Sequence, residues 1–339
     1  MKTKTMKAFT FKRYGKSSEL GLDDIDYPSA GPDEILVKIY AVGLNPIDNT
    51  IPTGIFKPVL HFKLPATLGS DLAGIVIATG SRVTRFKPGD EIFASIFDRG
   101  TGSLAEFAVV PENLAAIKPA NIDFVQAASL PMVSLTAWQA LTERACLQSG
   151  QKVFIPAGSG GIGSFAIQLA KHLGAKVATT TSTVNVEWVS RLGADEVVDY
   201  KKQEFENVLS GYDIVLGTVR GDTIEKSTHI LKPGGKIISL IGPLDASFAR
   251  DRQLNLFLRA IFSLMSRKII RLAKKRSLAY SFLFVRPDGA QLTLISKLIE
   301  AEHIVPVIDK VFPFAAIKDA LDYLAGGHAK GKVVVKIQD

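Results

Sequence analysis

A glycine-rich run, Ile155-Pro156-Ala157-Gly158-Ser159-Gly160-Gly161-Ile162-Gly163, leaves few folds open to this chain. It follows a short apolar strand, Lys152–Ile155, and opens a helical stretch from Ile162 to Leu173. Glycines let backbone turn sharply and approach a ligand closely, and a helix N-terminus offers unpaired N–H groups and a positive dipole end. In another setting the run would be an ordinary tight turn. The strand before it and the helix after it instead predict a pyrophosphate cradle.

The sequence beyond the run keeps the same alternation. Strands are predicted at Lys176–Thr180, Glu196–Asp199, Tyr212–Leu216 and, after the turn Lys232-Pro233-Gly234-Gly235, at Lys236–Ile241. Helices are predicted at Val186–Leu192 and Asp222–Leu231. Strands alternating with helices imply right-handed crossovers and a doubly wound parallel sheet. The first ~120 residues differ: short β-rich runs such as Glu34–Val42 and Gly74–Thr79 are separated by Gly and Pro turns. At about 150 residues per domain, 339 residues suggest two. The predicted division is a mostly β domain over 1–121, a cofactor domain over 122–286, and a return to the first over 287–339. That last part holds a helix at Gly289–Glu300, another at Ala315–Leu324 and a strand at Lys332–Ile337.

One cysteine, Cys146, permits no internal disulfide and no cysteine-built zinc site. The five histidines (His61, His172, His229, His303, His328) fall at no metal-motif spacing. No apolar run is long enough to cross a bilayer, and no apolar signal core follows the basic start, so a reducing, cytoplasmic setting is expected. The formal charge of +8 is concentrated. Residues 247–276 hold nine basic side chains and one acid, Asp251, which accounts for the whole excess. Leu254, Phe257, Leu258, Ile261, Met265, Ile269 and Leu272 recur there at near-helical spacing, predicting one or two amphipathic helices.

The end of the second strand of the alternating region chooses the cofactor. An Asp or Glu there would bind a ribose diol and repel a 2′-phosphate. Here the chain has Thr179-Thr180-Thr181-Ser182-Thr183, which favours NADPH (NADP+).

Taken together, the motifs resemble the zinc-independent quinone oxidoreductase-like and alkenal/enone reductase branch of the medium-chain dehydrogenase/reductase superfamily. The resemblance spans essentially the full length. It rests on Ala41-Val42-Gly43-Leu44-Asn45-Pro46-Ile47-Asp48, Leu68-Gly69-Ser70-Asp71-Leu72-Ala73-Gly74, Phe86-Lys87-Pro88-Gly89-Asp90, Ala127-Ala128-Ser129-Leu130-Pro131, Leu135-Thr136-Ala137-Trp138, the glycine loop, Leu192-Gly193-Ala194-Asp195, Leu231-Lys232-Pro233-Gly234-Gly235, Tyr280–Val285 and Gly331-Lys332-Val333-Val334. It implies a Rossmann cofactor domain plus a GroES-like catalytic domain, with the active site in the cleft. It also implies hydride transfer to the β-carbon of α,β-unsaturated aldehydes or ketones, with NADPH:quinone reduction as the alternative. Asn45 and Ser70 stand where zinc members carry Cys and His, so no zinc is expected. A conjugated acceptor needs less help than a plain ketone, because hydrogen bonds to the developing enolate suffice.

Carried over by position, the resemblance makes Asn45 the donor to the enolate oxygen and Asp48 its neighbour in the catalytic pair, more an orienter of the loop than an acid. A turn-capping role is open for both. Pro52-Thr53-Gly54-Ile55-Phe56 lacks the Tyr the family often has, leaving water to protonate the carbon. Thr136 is expected near the nicotinamide, and Ser159, Gly160, Gly161 and Ile162 at the pyrophosphate. Thr181, Ser182 and Tyr200 are expected around the 2′-phosphate. Val184 and Asn185 replace a frequent Lys, which weakens the NADPH preference. Val219, Ile241, Phe284 and Val285 are expected beside the cofactor, and Arg220 either reaches phosphate or is solvated. A homodimer is common in the family, though no self-complementary patch is evident. For 247–276 the favoured readings are a helix pair flanking the cleft or a solvated face, ahead of contact with nucleic acid or an anionic membrane. A cofactor-binding protein acting through that segment is the second alternative.

Overall fold

The computed structural model describes residues 4–15 and 19–338. The chain forms two compact units, Met1–Leu135 with Arg286–Asp339, and Thr136–Val285.

In chain order the first unit contains β1 (Thr5–Phe11), β2 (Leu20–Asp26), β3 (Glu34–Gly43), α1 (Pro46–Thr50), β4 (Ala66–Thr67), β5 (Asp71–Thr79), β6 (Glu91–Ser95), β7 (Phe107–Pro111), β8 (Ala115–Ile117) and α2 (Phe124–Ala128). Helix α3 (Pro131–Trp138) carries the chain into the second unit. That unit contains β9 (Lys152–Ile155), α4 (Gly161–His172), β10 (Lys176–Thr181), α5 (Val186–Arg191), β11 (Glu196–Asp199), β12 (Tyr212–Gly217), α6 (Thr223–Ser227), β13 (Leu231–Ser239), α7 (Ala246–Asp251), α8 (Leu256–Lys275) and β14 (Ala279–Phe282). The first unit resumes with α9 (Gly289–Glu300), β15 (Ile308–Pro313), α10 (Ile317–Ala325) and β16 (Lys332–Lys336).

The first unit is built round β3. This strand pairs antiparallel with β5, β7 and β16, so most of it is buried and none of it is exposed, and its sequence reads Ile-Leu-Val-Lys-Ile-Tyr-Ala-Val rather than alternating. The larger sheet runs β15-β16-β3-β5-β6-β8, and a smaller one runs β2-β1-β4. Helix α2 packs on β3, β5 and β16. It comes so close that a Cβ on Gly43 would lie 2.1 Å from Ala128 O, so only glycine fits where β3 hands over to α1.

The second unit is the expected doubly wound sheet, all parallel, in the order β11-β10-β9-β12-β13-β14. The strand order reverses between β9 and β12. Ligands in such folds bind at that switch point, outside the carboxyl ends of the strands.

Three local expectations shift. The change of texture at Asp123 marks α2, whose capping box joins Asp123 and Gln126, but α2 packs on the first unit, and the second unit begins only at Thr136. The helix expected at 222–231 is only α6. The Lys232–Gly235 turn lies inside β13, because Leu231 already pairs with Tyr212. The basic segment breaks into α7 and α8, capped by Asp245 and Asn255. The apolar stripe read from spacing is not the one α8 buries. Its buried residues are Phe262, Ser266, Ile269 and Ala273, whereas Phe257 and Met265 face solvent.

Candidate active site

In the second unit, β9 runs into the glycine loop and α4. Ala157 takes a left-handed conformation (φ 55°). A Cβ on Gly158 would lie 2.2 Å from Thr179 Oγ1, so the loop can lie against β10 only as glycine. Gly160 is the N-cap of α4 and, lacking a side chain, caps nothing; the first turn holds no acid. The N–H groups of Gly161, Ile162 and Gly163 thus face outward from an uncapped, positive helix end.

The other residues expected to hold the cofactor stand at the carboxyl ends of neighbouring strands. Thr181 ends β10, and Ser182 follows it. Tyr200 follows β11, and its N–H donates to Thr181 O (3.1 Å). Val219 lies two residues beyond β12, Ile241 two beyond β13, and Phe284 and Val285 just past β14. Thr218 Oγ1 donates to Pro156 O (2.6 Å), tying the β12 end to the glycine loop. Thr136 starts the second unit on α3, buried. Two of these also serve the core: Ile241 packs against a buried cluster, and Phe284 packs on Phe248.

The β10 end fits a phosphate-bearing ribose. The Thr181 hydroxyl is buried without a hydrogen-bond partner; among the described residues only Glu206 Oε2 shares that condition. Ser182 Oγ accepts from Asn185 Nδ2 (3.1 Å). The nearby carboxylate, Asp199, is engaged by the Thr183 hydroxyl (2.7 Å) and the Lys201 N–H (3.0 Å). Lys201, which sequence reading passed over, sets its ammonium 5.4 Å from the Tyr200 ring centre, just past β11. Beside the β12 and β13 ends lies a pocket of about 240 Å³ lined by Arg220, Ile224, Ile241, Met265 and Lys268.

In the first unit, Asn45 and Asp48 belong to a buried cluster assembled from distant parts of the chain. Strand β3 lies between β5 and β16, so its exit brings Asn45 between Asp71, the first residue of β5, and Lys332, the first of β16. Lys332 Nζ donates to Asn45 Oδ1 (2.6 Å) and to Leu44 O (2.7 Å), and lies 3.8 Å from Asp71 Oδ2. Asn45 Nδ2 donates to Asp71 Oδ2 (2.9 Å) and weakly to Gly43 O (3.4 Å). Ammonium can only donate and carboxylate only accept, so the amide orientation is set by chemistry. Asp71 also accepts the Met132 N–H (3.1 Å). Asp48 Oδ2 accepts the Asn45 N–H (2.7 Å), and Oδ1 accepts the Ser70 hydroxyl (3.1 Å).

Asp48 and Asp71 are fully buried, and Asn45, Ser70 and Lys332 nearly so. Burial pushes the Asp48 carboxyl up to about 7, and the neighbouring Asp71 charge adds to this. Burial also raises Asp71 and lowers Lys332, against their mutual attraction. Asp48 thus ties the Asn45 N–H at the start of α1 to Ser70, the residue before β5. Sequence reading missed Lys332 and Asp71. The available signal was a lysine heading the apolar run Val333-Val334-Val335 and an aspartate heading Leu72-Ala73.

The donor set does not fit a zinc ion. Asn45 Oδ1, the atom a metal would need, is taken by an ammonium, and Ser70 is committed to Asp48. Among the described residues, no three His, Cys, Asp or Glu side chains are grouped to hold a metal.

Residues 31–120 match the alcohol dehydrogenase GroES-like domain, and residues 192–335 match the model described as zinc-binding dehydrogenase. The chain is 35% identical over 343 residues to an NADPH-dependent alkenal/one oxidoreductase of Arabidopsis thaliana, covering 98% of this chain and 80% of that one. It is 34% identical over 347 residues to a quinone-oxidoreductase homolog of Spinacia oleracea, covering 99% and 100%. Among solved structures, the quinone oxidoreductase from Coxiella burnetii superposes with a TM-score of 0.84 at 30% identity, over 99% of this chain and 100% of that one. With the glycine loop, the six-stranded parallel sheet and the Asn45 cluster in place, these matches establish that the chain belongs to the quinone oxidoreductase-like branch of the medium-chain dehydrogenase/reductase superfamily.

Proposed function

We propose that this chain is an NADPH-dependent reductase of α,β-unsaturated aldehydes and ketones. The observation that carries the reading is the 2.6 Å hydrogen bond from the Lys332 ammonium to Asn45 Oδ1. A cation on the amide oxygen draws electron density from the amide and strengthens its N–H groups as donors. One of these is held by Asp71. The other meets Gly43 O only at 3.4 Å and is the one free to exchange that contact for an enolate oxygen. Such stabilisation suits a conjugated acceptor, in which charge spreads away from the carbon that receives hydride.

NADPH, when bound, supplies that hydride. Ser159, Gly160, Gly161 and Ile162 would hold its pyrophosphate at the uncapped α4 end. Thr181, Ser182, Tyr200 and Lys201 would meet the 2′-phosphate. Water would deliver the proton to the α-carbon. Quinone reduction is the second reading, supported by relatives that carry that name. The test is NADPH oxidation with butenone, benzoquinone and butanone in parallel, repeated with NADH. Fast turnover of butenone, with butanone inert and NADH slower, is expected. Faster turnover of benzoquinone would move the assignment to the second reading, and reduction of butanone would overturn the role given to Asn45.

A further inference from the structure

Helix α8 buries one stripe, Phe262, Ser266, Ile269 and Ala273, against the second unit. Its opposite face is divided along its length, which is about 30 Å for 20 residues. The first half exposes large apolar side chains: Leu256 (78% exposed), Phe257 (73%), Leu264 (68%) and Met265 (52%). The second half exposes Arg267, Lys268, Arg271, Lys274, Lys275 and Arg276. Lys268 pairs with Glu225 (3.2 Å), and Arg276 touches His229. Arg267, Arg271, Lys274 and Lys275 have no carboxylate partner among the described residues. Soluble proteins rarely leave four large apolar side chains exposed within three turns of helix without a use for them.

We propose that the outward face of α8 docks on the surface of an anionic phospholipid bilayer. Phe257, Leu256 and Leu264 would enter the acyl boundary, and the basic half would meet lipid phosphates and carboxylates. The charge matches: nine cations against one acid in 247–276. The geometry matches a helix lying in the interface, since no helix among the described residues is long and apolar enough to span a membrane. RNA fits less well. Its phosphates would engage the basic half, but Leu256, Leu264 and Met265 gain nothing there, and only Phe257 can stack on a base. A second copy could cover the apolar half, but it would leave the basic half of α8 without counter-charge.

The test is co-sedimentation of the full chain with phosphatidylcholine vesicles, with and without phosphatidylserine, at low and high salt. The chain should pellet with the phosphatidylserine vesicles, less so at high salt, and stay in solution with phosphatidylcholine alone. Arg271→Gln with Lys275→Gln should weaken binding about thirtyfold, at roughly one kcal/mol per charge near such a surface. Phe257→Asp with Leu264→Asp should abolish it. Both pairs are exposed, so melting temperature should not change. The proposal fails if the chain does not pellet with phosphatidylserine vesicles, or if the Phe257/Leu264 variant pellets as the parent does. It also fails if a single-stranded RNA binds more tightly than the vesicles. Self-association that Phe257→Asp with Leu264→Asp removes, without vesicle binding, would reassign the face to a second copy.

Discussion

The cofactor cradle and the Asn45 cluster solve opposite problems. The cradle is made of backbone: glycines 158, 160 and 161, an uncapped helix end and the carboxyl ends of parallel strands. The carboxylate nearest the β10 end, Asp199, is occupied by Thr183 and Lys201, and the Thr181 hydroxyl and the first N–H groups of α4 are left unpaired. The cluster is made of side chains: two buried acids and one buried lysine, with almost every polar atom matched. An open backbone cradle can receive a polyanion by supplying N–H groups without losing bonds of its own. A closed polar cluster holds one amide at fixed geometry and charge, and its cost is desolvation, which only complete pairing offsets.

The comparison breaks first at Lys332. Lys332→Met should destabilise the chain by about 3–5 kcal/mol in urea unfolding, because Asp71 keeps a buried charge without its partner. Lys332→Met with Asp71→Asn should recover part of that. A loss below about 1 kcal/mol for the single variant would mean the ammonium does not hold the cluster.

On the cradle side, Gly161→Asp sets a carboxylate at the α4 end. NADPH affinity, read by fluorescence titration, should fall at least about a hundredfold, since juxtaposed like charges cost several kcal/mol. The urea midpoint should move little. Unchanged affinity would remove the pyrophosphate from that loop.

The cluster should also respond to pH, and the cradle should not. Asp48 keeps its proton to about pH 7 in the fold but loses it near 3.8 when unfolded. Its contribution is therefore fully present below about pH 4 and is lost as pH rises towards 7. Asp48→Asn keeps an acceptor for the Asn45 N–H and can donate to Ser70. Its stability between pH 5 and 7 should vary less than the parent's, by about 2 kcal/mol. Parallel profiles for the two proteins would show that Asp48 is ionised in the fold.

The smallest expected effect is at the β10 end. Thr181→Val removes the orphaned hydroxyl without changing shape, so the apo chain should be no less stable. If the hydroxyl meets the 2′-phosphate, the preference for NADPH over NADH should drop about tenfold, one hydrogen bond to a charged group. An unchanged ratio would transfer that role to Ser182 and Lys201.

The glycine loop and its flanking elements are legible in the sequence, because their determinants are local. Strand, glycine loop and helix lie within one stretch of chain. The missing acid after β10 is a single position, and the residues expected at the cofactor lie just past the ends of the parallel strands. Boundaries were read less well. Asp123 announces a helix by its capping box, but whether α2 serves the first or the second unit depends on what it packs against. In α8 the apolar spacing predicts an amphipathic helix, yet the buried stripe runs through Ser266 and Ala273, where close packing matters more than hydrophobicity.

The sequence alone therefore determined the alternation that makes the second unit, the placement of its glycine loop between β9 and α4, and the concentration of charge in 247–276. Only the tertiary structure decided that Asn45, Asp71 and Lys332 meet, and which face of α8 is left to solvent. The reason is range. Periodicity, caps and turns act over a few residues and leave their mark in order along the chain. Lys332 reaches Asn45 across 287 residues of sequence because β16 pairs with β3, and strand pairing at that distance is set by the packing of the whole first unit.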